Sequence, residues 1–137
     1  MKDTLRPGVS RTSRITVDRD RTISFMGEEA RVYATPRLIS DIEMTCRNLM
    51  IEHLDAGEDS VGVEVALKHL AATLMGSKVE ITVNVTAVDR RKVVFEVSAK
   101  DELDQISAGT HTRFVVTLDK RVEALRAKTA KLAALKA

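Results

Sequence analysis

The chain has 137 residues, enough for one domain with an apolar core of its own. A net charge of +2 and an aromatic content of 3% argue against nucleic-acid binding, which relies on basic surfaces and stacking rings. The single cysteine, Cys46, excludes an internal disulfide and suits a reducing compartment, so we expect a cytoplasmic protein. No apolar run approaches the ~18 residues of a membrane helix, and we expect neither a membrane span nor a signal peptide.

The N-terminal part of the chain is predicted to begin with a tail and a first strand. Residues 1–10 are expected to be flexible, and residues 11–137 to form a single domain. Alternation of polar and apolar residues over Ser13–Val17 favours a strand. Asp18–Asp20 is expected to turn the chain, and the strand pattern continues over Thr22–Phe25.

A long helix is predicted to start at Thr35-Pro36. Threonine is a favourable N-cap, and proline is favoured at the first helical position because its missing N–H would be unpaired there. The helix is expected to run from Pro36 to about Leu54 and to stop before Gly57. Its apolar residues spread beyond one face, which indicates burial on most sides: Leu38, Ile39, Ile42, Met44, Cys46, Leu49, Met50 and Leu54. Glu43 lies within this helix, where a carboxylate is costly without a partner.

Strand patterns dominate the chain from Val61 onward. Apolar and polar residues alternate over 79–87, and two further strands follow over Lys92–Lys100 and Gln105–Leu118. Asp119 is then expected to cap a C-terminal helix with a thin apolar stripe. A single buried helix requires a sheet that curves around it. We therefore predict an α+β protein of the hotdog fold, with an antiparallel sheet wrapped around a long central helix and a C-terminal helix.

Three polar residues supply the parts of a nucleophile activated by a base: the hydroxyl of Thr35, the carboxylate of Glu43 and the imidazole of His69. Taken singly, each has an ordinary explanation as a helix cap, a structural ion pair or a core histidine. Their spacing and the residues around them agree together, which makes the set more specific than a threonine, a glutamate and a histidine at arbitrary positions. No cluster of histidine, cysteine or carboxylate residues has the spacing of a metal site, so we expect no metal and no cofactor.

From Val32 to Val116 the chain resembles the fluoroacetyl-CoA thioesterase family. The matching segments are Val32-Tyr-Ala-Thr35, the helix with Glu43 and Cys46, Gly62 to Thr73 with His69 between them, and Ser107-Ala-Gly-Thr-His-Thr-Arg-Phe114. The resemblance implies hydrolysis of an acyl-CoA thioester by a homodimer. It also implies that Thr35, Glu43 and His69 are catalytic and that Gly62 lies near the reacting carbonyl.

The resemblance leaves several roles open. His69 is expected to act as general base, since neutral imidazole accepts protons near pH 7. Thr35 is either the nucleophile or the group that holds water and substrate, and Glu43 either orients the imidazole or attacks the carbonyl itself. Gly62 is expected to offer its backbone N–H to the carbonyl oxygen. Basic residues near both ends of the chain are expected to be solvated surface groups when taken singly, and the alternative is that together they attract the phosphates of coenzyme A.

The acyl group is expected to differ from fluoroacetyl. Met26 and Glu29 are assigned to the substrate site, at positions where the resemblance implies phenylalanines that form a lid and sense fluorine. His111 is assigned to the sheet and Cys46 to packing. The alternative function is a non-catalytic acyl-CoA binding module on the same fold. A purely structural dimerising domain leaves Glu43 unexplained, and the motifs around His69 are not those of a dehydratase.

Overall fold

The computed structural model describes all residues, 1–137. Its regular elements, in chain order, are β1 (Ser10–Thr16), β2 (Thr22–Ile23), β3 (Val32–Tyr33), α1 (Thr35–Ile51), β4 (Glu58–His69), β5 (Lys78–Asp89), β6 (Lys92–Lys100), β7 (Gln105–Thr117) and α2 (Leu118–Lys136). The large sheet is antiparallel with five strands in the order β1-β5-β6-β7-β4, and β2 and β3 form a separate small hairpin.

The helix α1 contacts β5 and both edge strands, β1 and β4, so the sheet curves around it. Its buried side chains include Leu38, Ile42, Cys46, Leu49 and Met50. They join the inward-facing residues of the strands in one apolar core. The predicted hotdog arrangement, with one central helix inside an antiparallel sheet, is therefore confirmed.

The two central strands follow the predicted alternation closely. Buried and more exposed residues alternate along most of β5 and along the whole of β6, because every second side chain faces α1. The short connection after Asp89 contains Arg90 with a φ of 57°, the conformation of a tight turn. The bounds predicted for β6 are those of the structure.

The helix ends differ from the predictions. The prediction of Thr35 as N-cap is wrong, because Ala34 holds that position and Thr35 is the first helical residue, with its hydroxyl turned to His69. The helix α1 ends at Ile51, before the predicted Leu54. The prediction for Asp119 is also wrong, since α2 already begins one residue earlier and its N-cap is Thr117.

The segment assigned to a flexible tail lies against the domain. Leu5 is 3% exposed and belongs to the apolar core, and Lys2 N–H donates to the carbonyl of His53. The terminal amine of Met1 pairs with Asp55 and Glu58. The strand β1 begins at Ser10, so the predicted boundary between residues 10 and 11 falls inside a strand. The mobility of the segment remains a prediction.

The helix α2 extends away from the core. None of its residues is buried, and its large apolar side chains are exposed: Leu118, Val122, Leu125, Leu132 and Leu135. None of the helices combines the length and the apolar character that crossing a membrane requires.

Close backbone contact between β4 and β7 requires a glycine at position 109. Gly109 pairs with Leu67, and a Cβ atom at Gly109 would lie 2.0 Å from the carbonyl oxygen of Ala66. Real side-chain carbons do not approach backbone that closely. The two strands therefore keep their register only if this position has no side chain.

We expect Gly109→Ala to lower the free energy of unfolding by about 3 kcal/mol or more, because β4 must move away from β7. Urea denaturation of the purified protein measures the change. Thr110→Ala, at an exposed neighbouring position on β7, is the matched control and should change stability by less than about 1 kcal/mol. Equal stability of the two variants would contradict the close contact.

Candidate functional site

A hydrogen bond of 2.7 Å joins Thr35 Oγ1 and His69 Nδ1. Thr35 is the first residue of α1 and His69 is the last residue of β4, so the bond connects the N-terminus of the helix to the end of an edge strand. Burial lowers the pKa of His69 below its ordinary value, which keeps the imidazole neutral at pH 7. The pair therefore consists of an exposed hydroxyl and a neutral base in direct contact.

The base of the small hairpin holds Thr35 in place. Asp41 of α1 accepts a hydrogen bond from Tyr33 on one arm, and Arg21 at the start of the other arm donates to it over 2.9 Å. The N–H of Ala34 donates to the carbonyl of Arg21, which closes the hairpin next to the helix start. Because Tyr33 is buried beside a carboxylate, its pKa is raised and its hydroxyl stays protonated. One carboxylate thus fixes the backbone that leads into Thr35.

Glu43 lies about two helical turns, or roughly 12 Å along the axis, from Thr35. Its Oε1 is 3.1 Å from the position that a Cβ atom on Gly62 would occupy. The same position is 3.2 Å from Cε1 of His111 and 3.5 Å from Nη1 of Arg113. Gly62 thus leaves open a space lined by a carboxylate, an imidazole and a guanidinium.

Arg113 is a buried cation held mainly by neutral groups. Its Nε donates to Ser60 Oγ and its Nη2 to the Ser60 carbonyl, each over 2.8 Å. Its Nη1 lies 3.2 Å from Nε2 of His111, which accepts. Burial lowers the pKa of Arg113, and the nearby Cys46 and Glu43 oppose that change. The guanidinium leaves positive charge beside Gly62 at the edge of the sheet.

His111 is the neutral member of this cluster. Its Nδ1–H donates over 2.8 Å to the carbonyl of Glu64, and its Nε2 faces Arg113. Burial is the main cause that lowers the pKa of His111, and Arg113 adds to it, while Glu64 and Glu43 oppose it. The sequence assigned His111 to the sheet alone; the structure also places its ring beside Gly62.

The other predicted site residues lie elsewhere. Met26, 68% exposed, and Glu29, also exposed, are in the loop between β2 and β3. Cys46 is fully buried, and burial raises the pKa of its thiol to about 12, so it packs as an unreactive side chain. The structure thus brings Thr35 and His69 together, and Glu43 and Gly62 together, but keeps the two pairs apart within one chain.

Arginines near the hairpin are occupied by ion pairs rather than free to bind phosphate. Arg19 and Arg31 both pair with Glu28, and Arg21 pairs with Asp18 and Asp41. These ion pairs favour a structural role for Arg19 and Arg21 over attraction of the coenzyme A phosphates.

Comparison with known proteins identifies the family. The sequence model of the family described as fluoroacetyl-CoA-specific thioesterase matches residues 17–119. The chain belongs to this family. The family match spans the small hairpin, the helix α1 and all the strands that carry the polar residues described above.

Individual relatives agree with this family. The fluoroacetyl-CoA thioesterase of Streptantibioticus cattleyicolor is 33% identical over 94% of this chain and 98% of its own. A solved fluoroacetyl-CoA thioesterase is 32% identical, with a TM-score of 0.84 over 92% of this chain and 98% of that one. A thioesterase superfamily member from Thermus thermophilus is 25% identical, with a TM-score of 0.86 over 93% and 96%. The predicted hotdog thioesterase is therefore confirmed.

Three polar residues of the site, Ser107, His111 and Arg113, were not predicted as a group. With Gly109 and the buried Val115 they occupy alternate positions of β7, from 107 to 115, and so share the face turned to α1. Polar residues at inward-facing positions of a strand are costly unless they form hydrogen bonds. This period of two is a signal that the sequence contains.

Lowering the pH from 7 to 5.5 should reduce the free energy of unfolding. Unfolded histidine has a pKa of about 6.5 and binds a proton in this range, whereas burial lowers the pKa of folded His69 and His111. The unfolded state then binds more protons, so this stability is present above the unfolded pKa and is lost as the pH falls toward the folded pKa.

Urea denaturation at both pH values measures this dependence. His111→Asn keeps a donor for the Glu64 carbonyl and removes a titrating group, so its stability should fall less over the same interval. A pH dependence as steep as that of the parent protein would show that His111 is not held neutral.

Proposed function

We propose that the chain hydrolyses an acyl-CoA thioester at a site built on Thr35 and His69. The observation that supports these roles is the 2.7 Å contact between the hydroxyl and Nδ1 of a neutral imidazole. In the reaction, His69 takes a proton from the Thr35 hydroxyl or from a water that Thr35 holds, and the resulting oxygen nucleophile attacks the thioester carbonyl. The coenzyme A thiolate leaves and takes the proton from His69. Where water is the nucleophile, the free acid forms directly; where Thr35 is the nucleophile, a water activated by His69 then hydrolyses the acyl ester on Thr35 and restores its hydroxyl.

The proposed assembly is a homodimer that pairs β4 with β4 of a second copy. β4 is an edge strand of 12 residues, and Val63 and Val65 on it are 58% and 39% exposed. The opposite edge, β1, is shorter and carries Arg11 and Arg14, charges that disfavour strand pairing. The middle of β4, from Val61 to Leu67, contains one charged residue, Glu64, and this longer unpaired edge is therefore the one suited to a second chain.

Such a dimer would unite the two separated pairs of residues. Gly62 and His69 lie seven positions apart on β4. β4 has a bulge between Gly62 and Glu64, and in an antiparallel β4–β4 ladder centred on Ala66 this bulge, with Gly62 and Val63, lies opposite His69 of the second copy. The Glu43 carboxylate of the second copy then approaches the Thr35–His69 pair, in a position to orient the imidazole or act on the carbonyl.

The backbone N–H of Gly62 points toward this interface, where the oxygen of a thioester carbonyl can accept from it. Leu118 N–H donates to the Gly57 carbonyl, so these two residues form a hydrogen-bonded pair. From this pair to Gly62, non-hydrogen-bonded and hydrogen-bonded pairs alternate along β4 and β7. Gly62 falls on a non-hydrogen-bonded position opposite Arg113, so its N–H points away from β7 toward the free edge. An N–H there, beside a buried guanidinium, supports stabilisation of an oxyanion.

The proposed acyl group is not fluoroacetyl, and its identity is the first point to measure. Met26 and Glu29 are exposed on the hairpin and replace the phenylalanines that the resemblance implied. A flexible thioether and a carboxylate differ from two aromatic rings in shape and polarity. The cytoplasmic location stays a prediction. A binding module without activity is the alternative function, and the same experiment distinguishes it.

His69→Ala should lower kcat/KM by roughly 100-fold or more, because general-base catalysis of this kind contributes 10²–10⁴-fold. Thiol release from a panel of acyl-CoAs, from acetyl to palmitoyl and aryl groups, measures the rate and gives the acyl preference. His53→Ala, which changes a histidine hydrogen-bonded to Thr4, is the matched control and should keep parental rates. Parental activity in a folded His69→Ala variant would refute the base assignment.

Val63→Lys should weaken the dimer at least about tenfold and lower activity with it, because charges on an edge strand oppose strand pairing. Light scattering coupled to size exclusion, over a dilution series, measures the mass. Leu103→Lys changes an apolar residue that is 88% exposed in the turn after β6, and it should affect neither property. A parent protein that is fully active as a monomer would refute the shared site.

A further inference from the structure

The two ring nitrogens of His69 have different surroundings. Nδ1 is hydrogen-bonded to Thr35, whereas Nε2 is buried and has no hydrogen-bond partner within the chain. A neutral imidazole carries one proton, so one nitrogen donates and the other accepts. For Nδ1 to accept the proton of Thr35, Nε2 must carry the hydrogen and needs an acceptor of its own.

Ser107 is the polar residue directly opposite. It is 0% exposed, and its Oγ also lacks a hydrogen-bond partner. A buried hydroxyl without a partner is destabilising, so two unpaired polar atoms on neighbouring strands call for a common explanation.

The strand register places these two side chains side by side. His69 of β4 pairs with Ser107 of β7, so both project from the same face of the sheet. Leu70 N–H donates to the Ile106 carbonyl, which makes the next pair along a hydrogen-bonded one. His69 and Ser107 therefore form a non-hydrogen-bonded pair, the kind in which facing side chains are closest. Rotation about the Ser107 Cα–Cβ bond moves Oγ among its staggered positions within this space.

We propose that Ser107 is a positioning residue, whose Oγ accepts the Nε2–H of His69 and so holds the imidazole in the tautomer with a free electron pair on Nδ1. The proposal rests on the proposed role of His69 as the base toward Thr35. When Nδ1 takes the proton of the Thr35 hydroxyl, the ring becomes an imidazolium with both nitrogens protonated. The Nε2–H bond to Ser107 then helps to carry the positive charge. No bond to Ser107 forms or breaks.

The tautomer can be read directly by NMR at pH 7. In ¹⁵N-labelled protein, long-range proton–nitrogen spectra distinguish a protonated ring nitrogen from one with a free electron pair, and the signals missing from His69→Ala identify residue 69. The parent protein should show a protonated Nε2 and an unprotonated Nδ1. The opposite tautomer in the parent protein would overturn the proposal before any change at Ser107 is made.

Ser107→Ala should shift His69 toward the other tautomer and lower kcat by about tenfold with KM nearly unchanged, because the buried Nε2–H loses its acceptor. Ser107→Thr keeps a hydroxyl and should keep the parental tautomer. Ser98→Ala, on the neighbouring strand β6, is the matched control and should leave both spectrum and rate as they are. An unchanged tautomer in folded Ser107→Ala would overturn the proposal and show that another group, such as Glu43 of the second copy, accepts from Nε2.

These measurements separate the proposal from the function on which it rests. The tautomer is observed without substrate, so it tests Ser107 whether or not the protein turns over a given acyl-CoA. Parental activity in a folded His69→Ala variant would refute the role of His69 as the base. A parental tautomer that depends on Ser107 would still establish the contact in that case.

Discussion

The buried guanidinium of Arg113 is the constraint around which one half of the site is arranged. A charge removed from water must be surrounded by hydrogen-bond acceptors, and Ser60 supplies two while His111 supplies a third. His111 can accept only as neutral imidazole with its proton on Nδ1, and that proton requires the carbonyl of Glu64. The hydrogen bonds to this one cation therefore determine the tautomer of His111 and hold Ser60 and Glu64 of β4 in place on either side of Gly62.

The other half of the site depends on a different anchor, the Asp41 carboxylate. It binds the two arms of a hairpin whose tip is exposed and holds the chain that enters α1 at Thr35. The two halves share only α1 and β4, which are rigid elements. Their separation is therefore a stable property of one chain, and in the proposed dimer the free edge of β4 is where the halves of two copies would meet.

Regular elements were predictable from sequence wherever burial repeats along the chain. The strand β6 was predicted at its observed bounds because alternate residues from Lys92 to Lys100 face the core. Thr35 is predicted as a cap, but its hydroxyl bonds to His69, which is distant in sequence and close only because α1 packs against β4. The separation of Glu43 from His69 was not predictable for the same reason. Helical spacing gives distances along α1, but it does not show which strand residue faces which turn.

The polar residues on β7 were predictable from sequence only in part. Their period of two was visible in the sequence, but their partners lie on β4 and α1, and local patterns do not specify strand order. The family resemblance assigns catalytic roles to Thr35, Glu43 and His69 without that information, and these roles stay predictions. It could not do so for Ser107, whose significance comes from the register alone.

The exposed helix α2 has a consequence for how unfolding of this protein is observed. It is longer than α1, 19 residues against 17, so it supplies more than half of the α-helical signal in circular dichroism. A helix of this length without packed side chains is marginal in water and frays gradually on heating. Ellipticity would therefore decline before the core opens and suggest an intermediate that is only local melting. Fluorescence of Tyr33, which is 1% exposed and the single tyrosine of the chain, reports the cooperative transition of the domain itself.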